Sequence, residues 1–194
     1  MAIFDRVTLT GRYIRLEPLS EAHKEGLSQA VCDGELWNLI VTKVPKVEEV
    51  DAFIQSANRD HQAGLGLPFA TIDIASNRVV GSTRFMKADL ANRRVEIGHT
   101  FIAKSFQKTK VNTEAKGLML THAFETLGLN RVEFLTDFFN TASRNAILRL
   151  GAKQEGILRN HIVMPNGRVR DSVLFSIIAN EWPGVKELLQ HKLA

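Results

Sequence analysis

The sequence predicts an α/β (α+β) domain built on a mixed, mostly antiparallel central sheet with helices on both faces. Three strand-like runs follow one another between residues 69 and 102, which is typical of a meander. A helical pattern and a further strand come next, and a strand, helix, strand unit favours a parallel strand pair. The 194 residues contain no internal repeat and no linker rich in Pro, Gly or Ser. We therefore expect a single domain over residues 1–194.

The first half of the chain alternates strand and helix patterns. A strand is expected to end at Pro18, and Ser20 is suited to cap the helix that follows. In the next helix, Val50, Ile54 and Ala57 keep the spacing of one helix face. The elements predicted here are a strand over 9–16, helices over 20–31 and 47–61, and strands over 69–74, 78–85 and 94–102.

The second half opens with a helix over residues 113–127 that is rich in Leu, Met, Ala and Phe on most of its faces. Such a helix is expected to be mostly buried, and Gly128 is suited to end it. The remaining predicted elements are a strand over 131–137, a helix over 141–150, a hairpin of strands over 157–164 and 169–178, and a closing helix over 184–193.

Composition excludes several classes of protein. The chain is 44% hydrophobic and 24% charged, as expected for an ordinary globular domain. The single cysteine, Cys32, cannot form an internal disulfide, and no Cys/His cluster has the spacing of a zinc site. No run approaches eighteen apolar residues, and the N-terminus lacks a signal core. We expect a cytoplasmic protein without a metal and without a membrane-spanning segment.

The positive charge is concentrated in one part of the sequence. The whole chain carries a net charge of +4, from 25 Lys and Arg against 21 Asp and Glu. Nine basic residues stand against three acidic ones between Arg78 and Lys116, so that window carries +6 and the remainder −2. This concentration predicts one anion-facing surface.

The loop that leads into the helix at residue 113 is the strongest candidate for an anion site. The start of a helix presents unpaired N–H groups and the positive end of the helix dipole, which suit a phosphate or pyrophosphate. Lys104, Lys108 and Lys110 flank this loop. A solvated basic loop ahead of a capped helix would give the same pattern, so the loop alone does not decide between the two.

Three motifs in order resemble the GNAT acetyltransferase superfamily. They are the strand with Glu96-Ile97-Gly98, the loop Gln107-x-x-Lys110-x-Asn112, and Asn140-Thr141-Ala142-Ser143-Arg144 followed by Leu150-Gly151-Ala152. The helix start Asn112-Thr113-Glu114-Ala115-Lys116 resembles the branch of ribosomal-protein N-terminal acetyltransferases. The resemblance covers roughly residues 9–182.

The resemblance implies that acetyl-CoA binds as cosubstrate between the strands over 94–102 and 131–137, which splay apart in this family. Backbone groups at the end of the first strand would hold the pantetheine and the thioester carbonyl. N–H groups of the loop would hold the pyrophosphate, and Asn140 would hydrogen-bond the cofactor. The residues assigned to this site are Thr100, Phe101, Ile102, Gln107, Lys108, Thr109, Lys110, Val111, Asn112, Thr113, Asn140 and Arg144.

Three positions depart from the pattern of the family, two in the loop before the helix and one in the later helix. Lys110 stands where the family has a glycine, which lets the backbone approach a phosphate, and Asn112 replaces a small residue. A right-handed backbone would tolerate Lys110, whose charge would then point toward the phosphates. Ile147 stands where many members have a tyrosine general acid, and the only tyrosine is Tyr13. The catalytic acid must then be another group or solvent.

Glu96 and Ser143 are the candidate catalytic residues. Glu96 matches a strand glutamate that some GNAT enzymes use as base, although a salt bridge to Arg93 or Arg131 would also explain it. Ser143 resembles the serine proposed as general acid in the ribosomal branch, but a hydroxyl there could equally make a local hydrogen bond at the helix terminus. His99 is an alternative base, because imidazole titrates near neutrality.

The resemblance favours an acetyl-CoA-dependent N-acetyltransferase. No nucleophilic Cys or Ser with a His partner is visible, so we expect the amine to attack directly in a ternary complex. The acceptor would be a small-molecule amine or a protein N-terminus, and a homodimer stays open. The alternatives are a basic module that binds nucleic acid or the ribosome, for which aromatic residues are too few, and an acyl-CoA-binding protein without turnover.

Overall fold

The computed structural model describes residues 4–194 and contains one eight-stranded sheet in the order β1-β2-β3-β4-β5-β6-β8-β7. Within these residues, no helix is both long enough and apolar enough to cross a bilayer. The strands are β1 Leu9–Thr10, β2 Ile14–Pro18, β3 Leu67–Asp73, β4 Arg78–Asp89, β5 Arg94–Ile102, β6 Arg131–Asp137, β7 Lys153–Val163 and β8 Val169–Ile178. The helices are α1 Lys24–Cys32, α2 Val50–Gln62, α3 Val111–Thr121, α4 Thr141–Arg149 and α5 Trp182–Leu193.

The strands β5 and β6 form the one parallel pair in the described sheet. Their pairing covers only three rungs, from Arg94 with Arg131 to Glu96 with Glu133. Every other neighbouring pair of strands is antiparallel. The predicted mixed sheet is confirmed, and the remaining residues of β5 and β6 separate beyond Glu96.

Each face of the sheet is covered by helices and has its own hydrophobic core. One core contains Met119 and Leu120 of α3 with Val95 and Ile97 of β5. The other core contains Ile54 of α2 and Phe101 of β5, together with residues of α1. Burial of each such side chain stabilises the fold by roughly 1.5–3 kcal/mol. The strand β5 therefore lies between two cores, which fix its position.

The N-terminal strand predicted over residues 9–16 is divided into β1 and β2 by a turn. The buried carboxylate of Glu114 on α3 accepts hydrogen bonds from the N–H groups of Arg12, Tyr13 and Ile14, at 2.8, 2.7 and 2.8 Å. These N–H groups are thereby satisfied outside the sheet. The contact fixes the start of α3 against β1 and β2.

The helix predicted over residues 113–127 begins earlier, at Val111, and changes form before its end. Its α-helical part stops at Thr121, and residues His122–Thr126 form a π-helical turn. Gly128 follows with φ of 61°, a left-handed conformation that glycine adopts at little cost. The predicted end of this helical segment at Gly128 is confirmed.

Candidate functional site

A bulge in β5 lies beside the gap between β5 and β6. Phe101 is paired with Ser82 on β4 and Gly98 with Arg84, so His99 and Thr100 together face the single residue between them on β4. His99 has φ of 46°, which is unusual for a residue with a side chain. Bulges interrupt the ladder and turn backbone groups away from it. The edge of β5 from Ile97 to Ile102 faces β6 without strand pairing.

The loop between β5 and α3 presents a set of free N–H groups. Within residues 4–194, no acceptor pairs with the backbone N–H groups of Lys108, Thr109, Lys110, Asn112 and Thr113. The side-chain amide of Gln107 donates to the carbonyl oxygen of Ile102 at 2.9 Å and so ties the loop to the end of β5. Free N–H groups at a helix start favour anions, so this loop can hold a phosphate group.

The backbone of the loop tolerates Lys110 in the place of the family's glycine, but the Lys110 side chain points in a different direction from the expected one. Lys110 has φ of −71° and ψ of −13°, the right-handed conformation that tolerates a side chain. Its Nζ donates to the Tyr13 hydroxyl at 3.0 Å and to the carbonyl oxygen of Leu193 at 2.8 Å. The expectation that this charge points toward the phosphates is therefore wrong. Lys108 adopts φ of 61° and takes the left-handed conformation in this loop.

The predicted single anion-facing surface is also wrong, because the basic residues between Arg78 and Lys116 lie in different environments. Lys116 is 5% exposed, in the core. The Arg84 guanidinium is buried and packs over the Phe53 ring. Closeness in sequence does not show where each basic side chain points. Neighbouring residues on a strand point to opposite faces of the sheet, and the direction of a loop side chain depends on its tertiary contacts.

Glu96 is buried and pairs with Lys87, whose Nζ donates to its carboxylate at 2.8 Å. Neither arginine considered as its partner bonds it, and Arg131 pairs with Glu133 and Glu155 instead. Glu96 lies at the last rung of the parallel pair, where β5 and β6 begin to separate. A carboxylate at this point can accept a proton from a group bound in the gap.

Glu96 lines a cavity of about 280 Å³ on the face opposite to α3. Gly98 leaves room for Glu96, because a Cβ at position 98 would lie 3.1 Å from its Oε1. His161 of β7 lines the same cavity and hydrogen-bonds the Ser172 hydroxyl at 3.0 Å. Lys87 and His161 were not recognised in the sequence, since they come near Glu96 only through the pairing of β4 with β5 and through the β7–β8 hairpin.

His99 is an exposed residue of the bulge, and its surroundings favour the neutral imidazole. Loss of hydration, together with the neighbouring cations Arg84, Lys43 and Lys87, lowers the pKa of His99 to about 4. A neutral imidazole at neutral pH can accept a proton, although a weakly basic one does so with little driving force.

Asn140 caps α4, its side-chain oxygen accepting the N–H of Ser143 at 3.0 Å. The Ser143 hydroxyl is half-buried and has no hydrogen bond within residues 4–194, so the local bond considered for it is absent. Arg144 donates to the carbonyl oxygen of Phe138 at 3.2 Å and lies over the Phe138 ring. Asn140 and Ser143 thus share one helix start, just after the end of β6.

An ion pair with a buried carboxylate lies at the last residue of β6 and was not predicted. The Asp137 carboxylate is fully buried and pairs with Arg168 of the β7–β8 connection. Arg168 also donates to the carbonyl oxygen of Ile40, in the segment between α1 and α2, at 2.9 Å. Three separate parts of the chain are therefore joined next to the start of α4. Only the folded arrangement brings these residues together, and their sequence spacing carries no signal.

Comparison with known proteins agrees with this arrangement. Residues 14–153 match the acetyltransferase (GNAT) domain family. The chain is 39% identical over 98 residues to YdaF of Bacillus subtilis, whose name assigns it provisionally to the ribosomal N-acetyltransferases. This match covers 50% of this chain and 52% of that protein. The uncharacterized N-acetyltransferase p20 of Bacillus licheniformis is 28% identical over 178 residues, 91% of this chain and 99% of that protein.

A solved structure shows the same fold along nearly the whole chain. It is a GCN5-related N-acetyltransferase from Brucella melitensis, with a TM-score of 0.87 and 34% identity, covering 98% of this chain and 86% of that one. The protein is an acyltransferase. It belongs to the GNAT acetyltransferase family, and the relatives that it matches are named N-acetyltransferases.

Proposed function

We propose that the protein transfers an acetyl group from acetyl-CoA to a primary amine by direct attack in a ternary complex. The observation that carries this proposal is the separation of β5 from β6 beyond Glu96. Next to this gap, five N–H groups of the loop and of the first turn of α3 have no acceptor among residues 4–194. A long cosubstrate with an anionic end and an extended arm fits a gap that ends in such a loop. Family membership supports the choice of acetyl-CoA.

The residues of the chain would hold acetyl-CoA at three places. The N–H groups between Lys108 and Thr113 would bind the pyrophosphate, with Gln107 and Val111 fixing the loop. Backbone groups of Thr100, Phe101 and Ile102 would hold the arm and the thioester carbonyl. Asn140 and Arg144 would contact the cofactor from the start of α4. No group of three or more potential metal ligands occurs within residues 4–194.

The thioester supplies a reactive carbonyl carbon and a leaving group that departs easily. Glu96 would take the proton from the attacking amine, directly or through water, because its carboxylate lines the cavity beside the gap. The new C–N bond then forms as the C–S bond breaks. The hydroxyl of Ser143 would hydrogen-bond the departing sulfur and pass it a proton, which the serine oxygen would regain from solvent, while Glu96 would release the proton of the amine to solvent. His99 is a weaker candidate for the base, since its pKa is lowered to about 4.

The acceptor is proposed to be a protein N-terminus or a small-molecule amine. Similarity to YdaF favours a ribosomal-protein N-terminus, although that match spans about half of YdaF. Glu96 supplies negative charge in the cavity, which suits an amine that arrives protonated. The protein would act in the cytoplasm. A role in binding nucleic acid loses support, because the basic residues do not form one continuous surface.

Thiol release from acetyl-CoA tests this function. The purified protein would be assayed with peptides that have a free N-terminal Ser or Ala, with spermidine and with an aminoglycoside. Turnover with one of these classes and a mass increase of one acetyl group on the acceptor are expected. Absence of CoA binding in titration calorimetry, with salt-sensitive binding to RNA, would contradict the proposal.

A further inference from the structure

The buried amine of Lys116 has no role in the mechanism above. Lys116 lies on α3 and is 5% exposed. Its Nζ donates to the Thr83 hydroxyl at 2.8 Å and to the Thr100 hydroxyl at 2.7 Å. Within residues 4–194 it forms no salt bridge. A lysine is thus held in the interior by two hydroxyl groups, without a carboxylate.

Packing alone does not explain a lysine at this position. An ammonium group is costly to bury without a charged partner, and burial lowers the pKa of Lys116 to about 7. The hydroxyls of Thr83 and Thr100 also hydrogen-bond each other at 2.8 Å. If an apolar side chain replaced the lysine, the two hydroxyl groups would therefore still hydrogen-bond each other. Such a replacement is expected to maintain or increase stability.

The contacts of Lys116 connect the two halves of the proposed acetyl-CoA site. Thr100 lies in the β5 bulge, and its hydroxyl is also 3.4 Å from the carbonyl oxygen of Gly98. The hydrogen bond from Lys116 thus holds Thr100 in place, directly after His99, the bulge residue with the unusual φ of 46°. Lys116 belongs to the helix whose first residue, Val111, follows the loop with free N–H groups.

We propose that Lys116 is a positioning residue, which acts through Thr100 to hold the β5 bulge in the conformation that binds the thioester. This inference rests on the proposed function, since it assigns the bulge to the thioester. Lys116 itself is not expected to touch either substrate. Its substitution should therefore lower kcat while the phosphate end of the cosubstrate binds as before.

Lys116→Met, a variant of similar length without the amine, tests the inference. The melting temperature is expected to be equal to or above that of the wild type, and kcat to fall at least tenfold. The Kd for CoA should change less than threefold. Hydrogen exchange over residues 97–103 should become at least tenfold faster, a readout that needs no acceptor. Lys192→Met, at an exposed position of α5, is the matched control.

Thr100→Val identifies the route of the effect. If Lys116 acts through Thr100, the double variant Lys116→Met/Thr100→Val should lose no more kcat than either single variant. Independent, multiplying losses would overturn the inference, and so would unchanged exchange over residues 97–103 or a Lys116→Met protein that fails to fold. An inactive wild type that does not bind CoA would instead overturn the proposed function.

Discussion

Lys87 donates a hydrogen bond to the carboxylate of Glu96 at 2.8 Å, and Glu96 is 6% exposed at the last rung of the β5–β6 pair. A buried carboxylate with one basic partner keeps acceptor capacity for a second donor. The ammonium group of Lys87 carries the same charge as a protonated acceptor amine, so Lys87 and the amine would compete for Glu96. An acceptor amine would therefore have to displace Lys87 or bind beside it at this carboxylate.

Glu96→Gln should reduce kcat by about 100-fold or more, because the amide keeps the shape but accepts no proton. Affinity for CoA should stay within threefold, since the carboxylate lines the cavity proposed for the acceptor and not the loop proposed for the phosphates. Steady-state kinetics and titration calorimetry measure the two effects. Glu187→Gln on the exposed face of α5 is the control. Unchanged turnover in Glu96→Gln would remove Glu96 as the base.

Ser143→Ala should lower kcat by only about three- to tenfold, since a thiolate leaves easily and needs little help from an acid. Stability should hardly change, because the hydroxyl has no hydrogen bond within the described residues. A stopped-flow measurement of thiol release and a thermal melt would show this. A loss of several kcal/mol in unfolding free energy would instead assign Ser143 to the cap of α4.

Asn112→Pro removes one of the free N–H groups from the first turn of α3, where proline is tolerated. Loss of one hydrogen bond to a charged phosphate should weaken CoA binding by about 10- to 100-fold. Asn112→Ala retains the N–H group and is the matched control. Equal Kd values for the two variants would show that the loop does not bind the phosphates.

Lys110→Met is expected to reduce stability rather than affinity for CoA. Its Nζ donates to Tyr13 and to the carbonyl oxygen of Leu193, and each such bond contributes about 1 kcal/mol. The unfolding free energy from urea titration should fall by about 1–3 kcal/mol. Tenfold weaker CoA binding at unchanged stability would show that this side chain serves the phosphates after all.

The titration of Lys116 predicts a stability that rises with pH. Its pKa is about 7 in the folded protein and near its ordinary value of 10.5 in the unfolded chain. Between these values the unfolded chain binds more protons, so raising the pH favours the folded state. The wild type should gain up to about 1.4 kcal/mol per pH unit relative to Lys116→Met above pH 7. Urea denaturation of both proteins at several pH values would measure this difference in unfolding free energy. A difference that stays constant from pH 7 to 9 would exclude a buried, titrating amine at position 116.

The elements in which apolar and polar residues alternate regularly were predicted well. The strands over 94–102, 131–137 and 169–178 have the expected bounds, because their patterns of apolar and polar residues match a sheet buried between helices. The division of β1 from β2 was missed because it depends on Glu114, about one hundred residues away. A contact at that separation leaves no local pattern.

The chemistry of the site was predicted in part. The positions of Glu96 and of the loop before α3 follow from motifs on single elements. The partner of Glu96, the direction of Lys110 and the burial of Lys116 depend on which elements pack together. Side-chain direction on a helix or in a loop is set by tertiary contacts, and the sum of charges in a window does not contain that information.

A crystal structure of the protein with CoA would show whether the gap between β5 and β6 is the cosubstrate site. The arm is expected to lie between β5 and β6 beyond Glu96 and Glu133. The pyrophosphate should accept hydrogen bonds from N–H groups between Lys108 and Thr113, and the sulfur should lie near Ser143. CoA bound elsewhere on the protein, with the gap between β5 and β6 empty, would contradict it.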